Sequence, residues 1–204
     1  MTDVLPVNDR SLSLAAKILK EGGVVVIPTD TVYGLICHAM SPKAVSRVRD
    51  IKVRDREKPL QIEVGPDFVE RYAFIDETAA KVIKAFWPGA LSIVVKKKPT
   101  VPEYVSADDT ICLSCQANRV SRRISALFGK PFITTSANVA GEKAPKSITD
   151  VSESVLEAVD LALDDGPTKY GVPNTILDLT VKPPRILRDG PVKKNQIKEI
   201  IEVA

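Results

Sequence analysis

Two kinds of side chain stand close enough along this chain to do chemistry together. Thr29, Asp30 and Thr31 follow directly on the aliphatic run Val24–Ile27, and Lys52, Arg54, Arg56 and Lys58 arrive soon after, just ahead of Pro59. Hydroxyls and turn amides at the end of a buried strand, with cations beside them, suit a polyanion such as a nucleoside triphosphate. A second hydroxyl cluster, Thr134-Thr135-Ser136-Ala137-Asn138, follows the apolar pair Phe132-Ile133. Ligands of open α/β sheets collect at the carboxyl ends of strands, so the two clusters are expected to line one cleft. Taken singly, either cluster reads as a helix cap or a turn. Together with the cations they favour a phosphate or adenylate site.

The chain has neither a Walker loop nor a dinucleotide glycine fingerprint. ATP would therefore be held by Lys and Arg side chains and by turn amides. Mg2+ would enter bridging phosphate oxygens, because it needs few protein ligands. Asp30, Asp164 and Asp165 are available to it, although none has metal-ligand spacing, and Asp164-Asp165-Gly166-Pro167 reads more simply as a turn. Cys112 and Cys115 are spaced C-x-x-C, but Cys37 and the lone His38 are the only other soft ligands. A strand would also turn the two thiols to opposite faces, which argues against zinc. No Ser-His-Asp or Cys-His set can be assembled. Catalysis by positioning and charge stabilisation is the reading that remains.

These side chains need a scaffold, and the bulk composition bounds it. At 204 residues, with 44% hydrophobic and 27% charged residues, the chain is expected to form a single globular domain spanning residues 1–204. No apolar run is long enough for a membrane span, and MTDVLPVNDR lacks the layout of a signal peptide. Three cysteines, an odd number, point to a reducing cytoplasm and away from a disulfide framework. A net charge of +3 names no partner, but seven Lys/Arg against three acids between Lys43 and Lys58 is a local cationic concentration. The bland alternative for that run is a solvated helix face.

Helix-period and strand-like segments alternate, which predicts an α/β domain with a mixed sheet. Helices are expected over Leu12–Glu21 (cap Ser11 or Asn8, stop Gly22-Gly23), from Ser41-Pro42 to Ile51, and over Thr78–Phe86, Val120–Phe128, Ile148–Val159 and Gln196–Glu202. Strands are expected over Val24–Ile27, Leu60–Val64, Leu91–Val95, Thr110–Leu113, Phe132–Thr134, Leu161–Leu163, Thr175–Leu179 and Arg185–Leu187.

Six blocks in order carry a resemblance. They are PTDTVYGL at Pro28–Leu35, IKVR…KPL at Ile51–Leu60, WPGALSIV at Trp87–Val94, TTSANVAG at Thr134–Gly141, NTILDLT at Asn174–Thr180 and PRILRDG at Pro184–Gly190. The chain thus resembles the YrdC-like family of threonylcarbamoyl-AMP synthases, in its single-domain form. The resemblance implies a twisted, mixed open α/β sheet with flanking helices around a basic cavity. It implies an ATP-dependent nucleotidyltransferase making threonylcarbamoyl-adenylate and pyrophosphate from L-threonine, bicarbonate and ATP. The product would pass to a tRNA-modifying threonylcarbamoyl-transferase complex, with tRNA or double-stranded RNA contact possible and no membrane involved. Lys52 and Arg54 match the catalytic K-x-R pair, which also binds ATP together with Thr110, Ser136, Asn138 and Arg188. Thr29, Thr134 and Asn174 match threonine-binding positions.

Three positions depart from the family pattern. Ser114 stands where an arginine is expected to meet the threonine carboxylate, Asn174 where a serine is usual, and Ala144 at a further serine. Losing a bidentate carboxylate partner is not conservative, and Arg119, Arg122 or Arg123 would have to compensate. Two alternatives stay open. One is a YrdC-like paralogue with another amino-acid or acyl substrate. The other is a non-catalytic RNA-binding module using the basic residues for salt-sensitive phosphate contacts. Against the latter, the five Phe, four Tyr and one Trp form no evident stacking platform.

Overall fold

The computed structural model describes residues 2–53 and 58–204. The expected residues Arg54 and Arg56 lie outside them. Along the chain run β1 (Val4–Pro6), α1 (Asp9–Lys20), β2 (Val24–Ile27), β3 (Gly34–His38), α2 (Pro42–Ile51), β4 (Gln61–Glu63), α3 (Glu77–Phe86), β5 (Leu91–Lys96) and β6 (Thr110–Ser114). Then come α4 (Arg119–Phe128), β7 (Phe132–Ser136), α5 (Glu153–Ala158), β8 (Leu161–Asp164), β9 (Thr175–Asp178), β10 (Arg185–Arg188) and α6 (Lys194–Lys198). Short 3-10 turns cover Pro66–Arg71 and Ile148–Asp150.

The ten strands form one mixed sheet in the order β1-β8-β2-β3-β7-β4-β6-β5-β9-β10. Side chains alternate across a strand, so register decides which residues share a face. On one face Val24, Val26, Leu35, Cys37, Ile62, Ile93, Leu113, Ile133 and Leu177 pack with Ala44, Val45 and Val48 of α2 and Val82 and Ile83 of α3. On the other, Val25, Ile27, Ile36, Phe132, Leu161 and Leu163 meet Leu12, Ala15, Ala16 and Leu19 of α1 and Val120, Ile124 and Phe128 of α4. Among the described residues, the fully buried strand members of this second apolar cluster come from β2, β3, β7 and β8, with Leu5 of β1 packed at its edge. Across β4, β6 and β5 the same face continues as Gln61 opposite Cys112 and Ser92 opposite Ser114. A polar strip on a sheet face is the raw material of a site.

Local chemistry explains the helix ends. Asn8 accepts from the Ser11 amide at 2.9 Å while Ser11 Oγ accepts from the Asn8 amide at 3.0 Å, a reciprocal cap that starts α1 at Asp9. Gly22 (φ +85) then carries the chain out of α1 into β2. Ser41 Oγ accepts from the Ala44 amide at 3.3 Å, with Pro42 in the first turn, and Lys52 is the C-cap that follows Ile51.

Some expected elements differ. The helix expected over Ile148–Val159 is two pieces, because Ser147 and Asp150 form their own capping box and the chain runs extended through Val151 and Ser152 before α5 begins at Glu153. The terminal helix is α6, shorter than Gln196–Glu202, and its last turn gives way to Val203, 6% exposed. Two strands escaped the sequence reading. Edge strand β1 is only three residues long and half exposed, and β3 sits inside the motif read for chemistry.

The loop after β10 packs tightly. Gly190 is buried, and a Cβ there would collide with backbone atoms of Pro173, Asn174 and Thr175. Gly190→Ala is expected to cost ~1–3 kcal/mol. In thermal unfolding followed by circular dichroism that corresponds to a Tm lowered by roughly 3–10 °C. An unchanged Tm would show that this loop yields without cost.

Candidate functional site

The cavity starts at the turn between β2 and β3. Thr29 Oγ1 donates to the Val32 carbonyl at 2.7 Å and accepts from the Thr31 amide at 3.2 Å, which folds the turn onto itself. Thr31 Oγ1 then donates to Asn174 Oδ1 at 2.9 Å, tying the turn to the entry of β9. Asp30 points away from these hydroxyls, and its carboxylate accepts from the Ala117 amide at 2.6 Å.

The floor is the polar strip of the sheet, joined in one chain. Asn174 Nδ2 donates to Ser92 Oγ at 3.0 Å, and Ser92 Oγ donates to Gln61 Oε1 at 2.6 Å. Gln61 Nε2 donates to Ser114 Oγ at 2.8 Å, and Ser114 Oγ donates to Glu63 Oε2 at 2.6 Å. The other Glu63 oxygen accepts from the Gln116 amide. The Cys112 thiol adds a weak bond to Gln61 Oε1 at 3.6 Å.

The opposite wall is the carboxyl end of β7, held from behind by Lys52. Its ammonium donates to the Ser136 carbonyl at 2.6 Å and the Asn138 carbonyl at 2.8 Å, with Ser136 Oγ at 3.4 Å. The side chain is 2% exposed, so the charge is desolvated and these acceptors offset part of that cost. Asn138 closes the following turn by donating to the Val139 and Glu142 carbonyls at 2.9 and 2.8 Å. Arg188, on β10, donates through Nε to the Asn174 carbonyl at 2.8 Å.

Together these surfaces enclose ≈ 340 Å³, lined among others by Thr29, Thr31, Gln61, Cys112, Gln116, Thr134, Ser136, Asn174 and Arg188. Of the expected site residues, Thr29, Thr134, Ser136, Asn174 and Arg188 line this cavity. Lys52 and Asn138 stand behind its wall. Thr110 opens β6 opposite Lys96, on the same strand face as Cys112. Arg54 is outside the described residues. Gln61, Ser92 and Gln116 were missed, although polar Gln61 and Glu63 alternating with apolar Leu60, Ile62 and Val64 were a legible sign of a strand with one polar face.

The departures also have places. Ser114 is fully buried and spends its hydroxyl on Glu63. Arg119 is drawn outward to Asp165, Arg123 approaches Asp9 at 3.9 Å, and Arg122 borders a neighbouring cavity. Arg188 is the one lysine or arginine among the described residues that line the first cavity. Burial raises the Glu63 carboxyl to about 7, although the Gln116 amide and Ser114 hydroxyl pull the other way and Asp30 adds to the rise. Burial likewise raises Asp30 against the amides of Ala117 and Asn118.

Comparisons with known proteins place the whole fold in a family. Residues 17–190 match the Sua5–YciO–YrdC family profile, described as "telomere recombination". The chain is 33% identical over 208 residues to the threonylcarbamoyl-AMP synthase of Pyrococcus abyssi, covering 98% of this chain and 61% of that protein. It is 36% identical to a Methanocaldococcus jannaschii protein provisionally given the same name, covering 91% of this chain and 89% of the relative. The crystal structure of P. abyssi Sua5 complexed with L-threonine superposes with a TM-score of 0.94 at 31% identity, over 100% of this chain and 63% of that one. Escherichia coli YciO, at 24% identity, shares the fold with a TM-score of 0.86, over 97% of this chain and 100% of that one. This chain thus spans about three fifths of the P. abyssi protein and nearly all of the M. jannaschii one.

The raised Glu63 carboxyl makes stability depend on pH. The folded state holds the proton up to about 7, whereas the unfolded chain releases it near the ordinary 4.5. Its stabilising contribution is therefore full below the lower value and is lost as pH rises through the higher one. Urea unfolding at about pH 5 and about pH 8 should show the wild type losing more stability across that interval than Glu63→Gln. Equal losses in both proteins would remove Glu63 as the cause.

Proposed function

The chain belongs to the Sua5–YciO–YrdC family, and from that premise we propose that it is a threonylcarbamoyl-AMP synthase. The observation that carries this reading is the convergence of Thr29, Thr134, Ser136, Asn174 and Arg188 on one cavity. These residues come from four separated sequence blocks. In the proposed reaction the amine of L-threonine bonds to the carbon of bicarbonate, with loss of water. An oxygen of the resulting carbamate then attacks the α-phosphorus of ATP, and the bond to the β-phosphate oxygen breaks to release pyrophosphate.

Each residue has a role within that reading. Thr29, Thr134 and Asn174 receive the amino acid through hydroxyl and amide groups, those of Thr29 and Asn174 already oriented by their own hydrogen bonds. Arg188 pairs with phosphate oxygens as negative charge builds toward the leaving pyrophosphate. Lys52 fixes the Ser136–Asn138 turn against which the nucleotide rests, and its charge lies just behind that turn. Arg54 and Thr110 complete the nucleotide set on the strength of the family pattern. Among the described residues no group of three or more His, Cys, Asp or Glu side chains could hold a metal. Mg2+ would enter on the ATP phosphates and keep its waters, where it would neutralise phosphate charge.

We place residues 1–204 in one domain, since β1 and β10 are the two edges of a single sheet. We place the activity in the cytoplasm, feeding a tRNA-modifying threonylcarbamoyl-transferase complex with tRNA nearby. The three cysteines are free, and among the described residues no helix is long and apolar enough to cross a membrane. A second reading, the same nucleotide chemistry on another amino acid, is favoured by one observation: Ser114 is committed to Glu63 and offers no cation to a carboxylate.

Pyrophosphate release from ATP and bicarbonate, with threonine, serine and other amino acids compared, tests both readings. Release that depends on threonine is the expected result, and release driven by another amino acid instead would select the second reading. Arg188→Ala should lower kcat/KM for ATP about a hundredfold. Lys52→Met should abolish turnover and lower stability, because two buried carbonyls lose their partner. Full turnover in Lys52→Met would refute the role given to that turn.

A further inference from the structure

Glu63 and Gln116 separate the first cavity from a second one of ≈ 560 Å³, and Gln116 borders both. The second cavity has two kinds of wall. Val64, Phe68, Tyr72 and Pro88 give it apolar and aromatic surface, and Arg71, Arg122 and Lys130 bring cations. Among the described residues none of these three cations takes part in a salt bridge, and the Arg71 guanidinium lies 4.8 Å over the Phe68 ring. Ser121, in the first turn of α4, also lines the cavity. It is 2% exposed, and its Oγ has no hydrogen-bond partner among the described residues.

A buried hydroxyl without a partner costs ~1–3 kcal/mol and so points to an acceptor that completes it. Cations that take part in no salt bridge among the described residues point the same way. The aromatic walls would be idle against a bare inorganic ion, which prefers water to apolar surface. One acidic group is present, Glu63, but both of its oxygens already accept hydrogen bonds from Ser114 and Gln116.

We propose that this second cavity binds a small amphipathic anion, a monocarboxylate with an aromatic or branched aliphatic body. Arg122 and Ser121 Oγ take the carboxylate, and Phe68, Tyr72 and Pro88 cover the body. The site is independent of the reaction proposed for the first cavity, with which it shares only the Gln116 wall. Its affinity should also report on Glu63. The charged and titratable neighbours are Asp30 on the β2–β3 turn, Asp67 on the 3-10 turn, Cys115 after β6 and Arg122 on α4. Burial first, then Glu63, pushes the Cys115 thiol up to about 12, so it stays neutral. Ionisation of Glu63 near 7 then adds a negative charge beside the bound carboxylate, and binding weakens as pH rises through that value.

Isothermal titration of the whole protein with phenylacetate tests this, with inorganic phosphate and L-phenylalanine as separate arms. Saturable phenylacetate binding is expected, weakened about tenfold by Arg122→Gln and about threefold by Ser121→Ala. Binding should be several-fold weaker at about pH 8 than at about pH 6. Circular dichroism melts serve as the control that both variants remain folded. No saturable binding, or binding untouched by both substitutions, would overturn the site. Equal binding of inorganic phosphate would overturn the amphipathic ligand, and equal binding of L-phenylalanine would overturn the anionic one.

Discussion

Polar side chains buried on a sheet face must satisfy one another, and this constraint organises the site. From Thr31 through Asn174, Ser92, Gln61 and Ser114 to Glu63, each side chain is held by the next. The chain of bonds crosses from the β2–β3 turn over β9, β5, β4 and β6, elements far apart in sequence. An orphaned member would cost more than the net worth of its bond, so such a network holds its parts in one arrangement. The hydroxyls and amides of this network are therefore oriented before any ligand arrives, and preorganisation of this kind is what a site for charge-building chemistry requires.

Lys52 plays the corresponding part on the other wall. A buried ammonium is costly, and here two backbone carbonyls at the end of β7 receive it. That contact couples the last turn of α2 to the Ser136–Asn138 turn, and the Ala140 amide returns a bond to the Lys52 carbonyl at 2.8 Å. The residue that family resemblance marks as catalytic is thus also a structural clamp.

Much of the fold was legible because its signals are local. Asn8, Ser41 and the Gly22 stop are short-range capping chemistry, and β2 appears with its expected bounds because four consecutive aliphatics have few other solutions. The 148–159 segment failed for an equally local reason, a Ser147–Asp150 capping box and an extended Val151-Ser152 inside one apolar periodicity. The site was half legible. The hydroxyl clusters after β2 and within β7 declare themselves by composition, whereas Gln61, Ser92 and Gln116 are single polar residues in or beside strands and mean nothing until their neighbours are known.

The sequence by itself determined the strand-end hydroxyls, the cationic run beside them, the alternating α/β elements and the family they match. Composition, capping and block order are properties of neighbouring residues, and no partner from afar is needed to recognise them. Only the tertiary structure decided that the floor of the cavity is a hydrogen-bonded strip ending in Glu63, whose carboxyl pKa is raised by burial. It alone turned Lys52 onto carbonyls and Arg119 outward to Asp165. Strand order and register make those choices, and both depend on contacts between residues dozens of positions apart, which no window on the sequence contains.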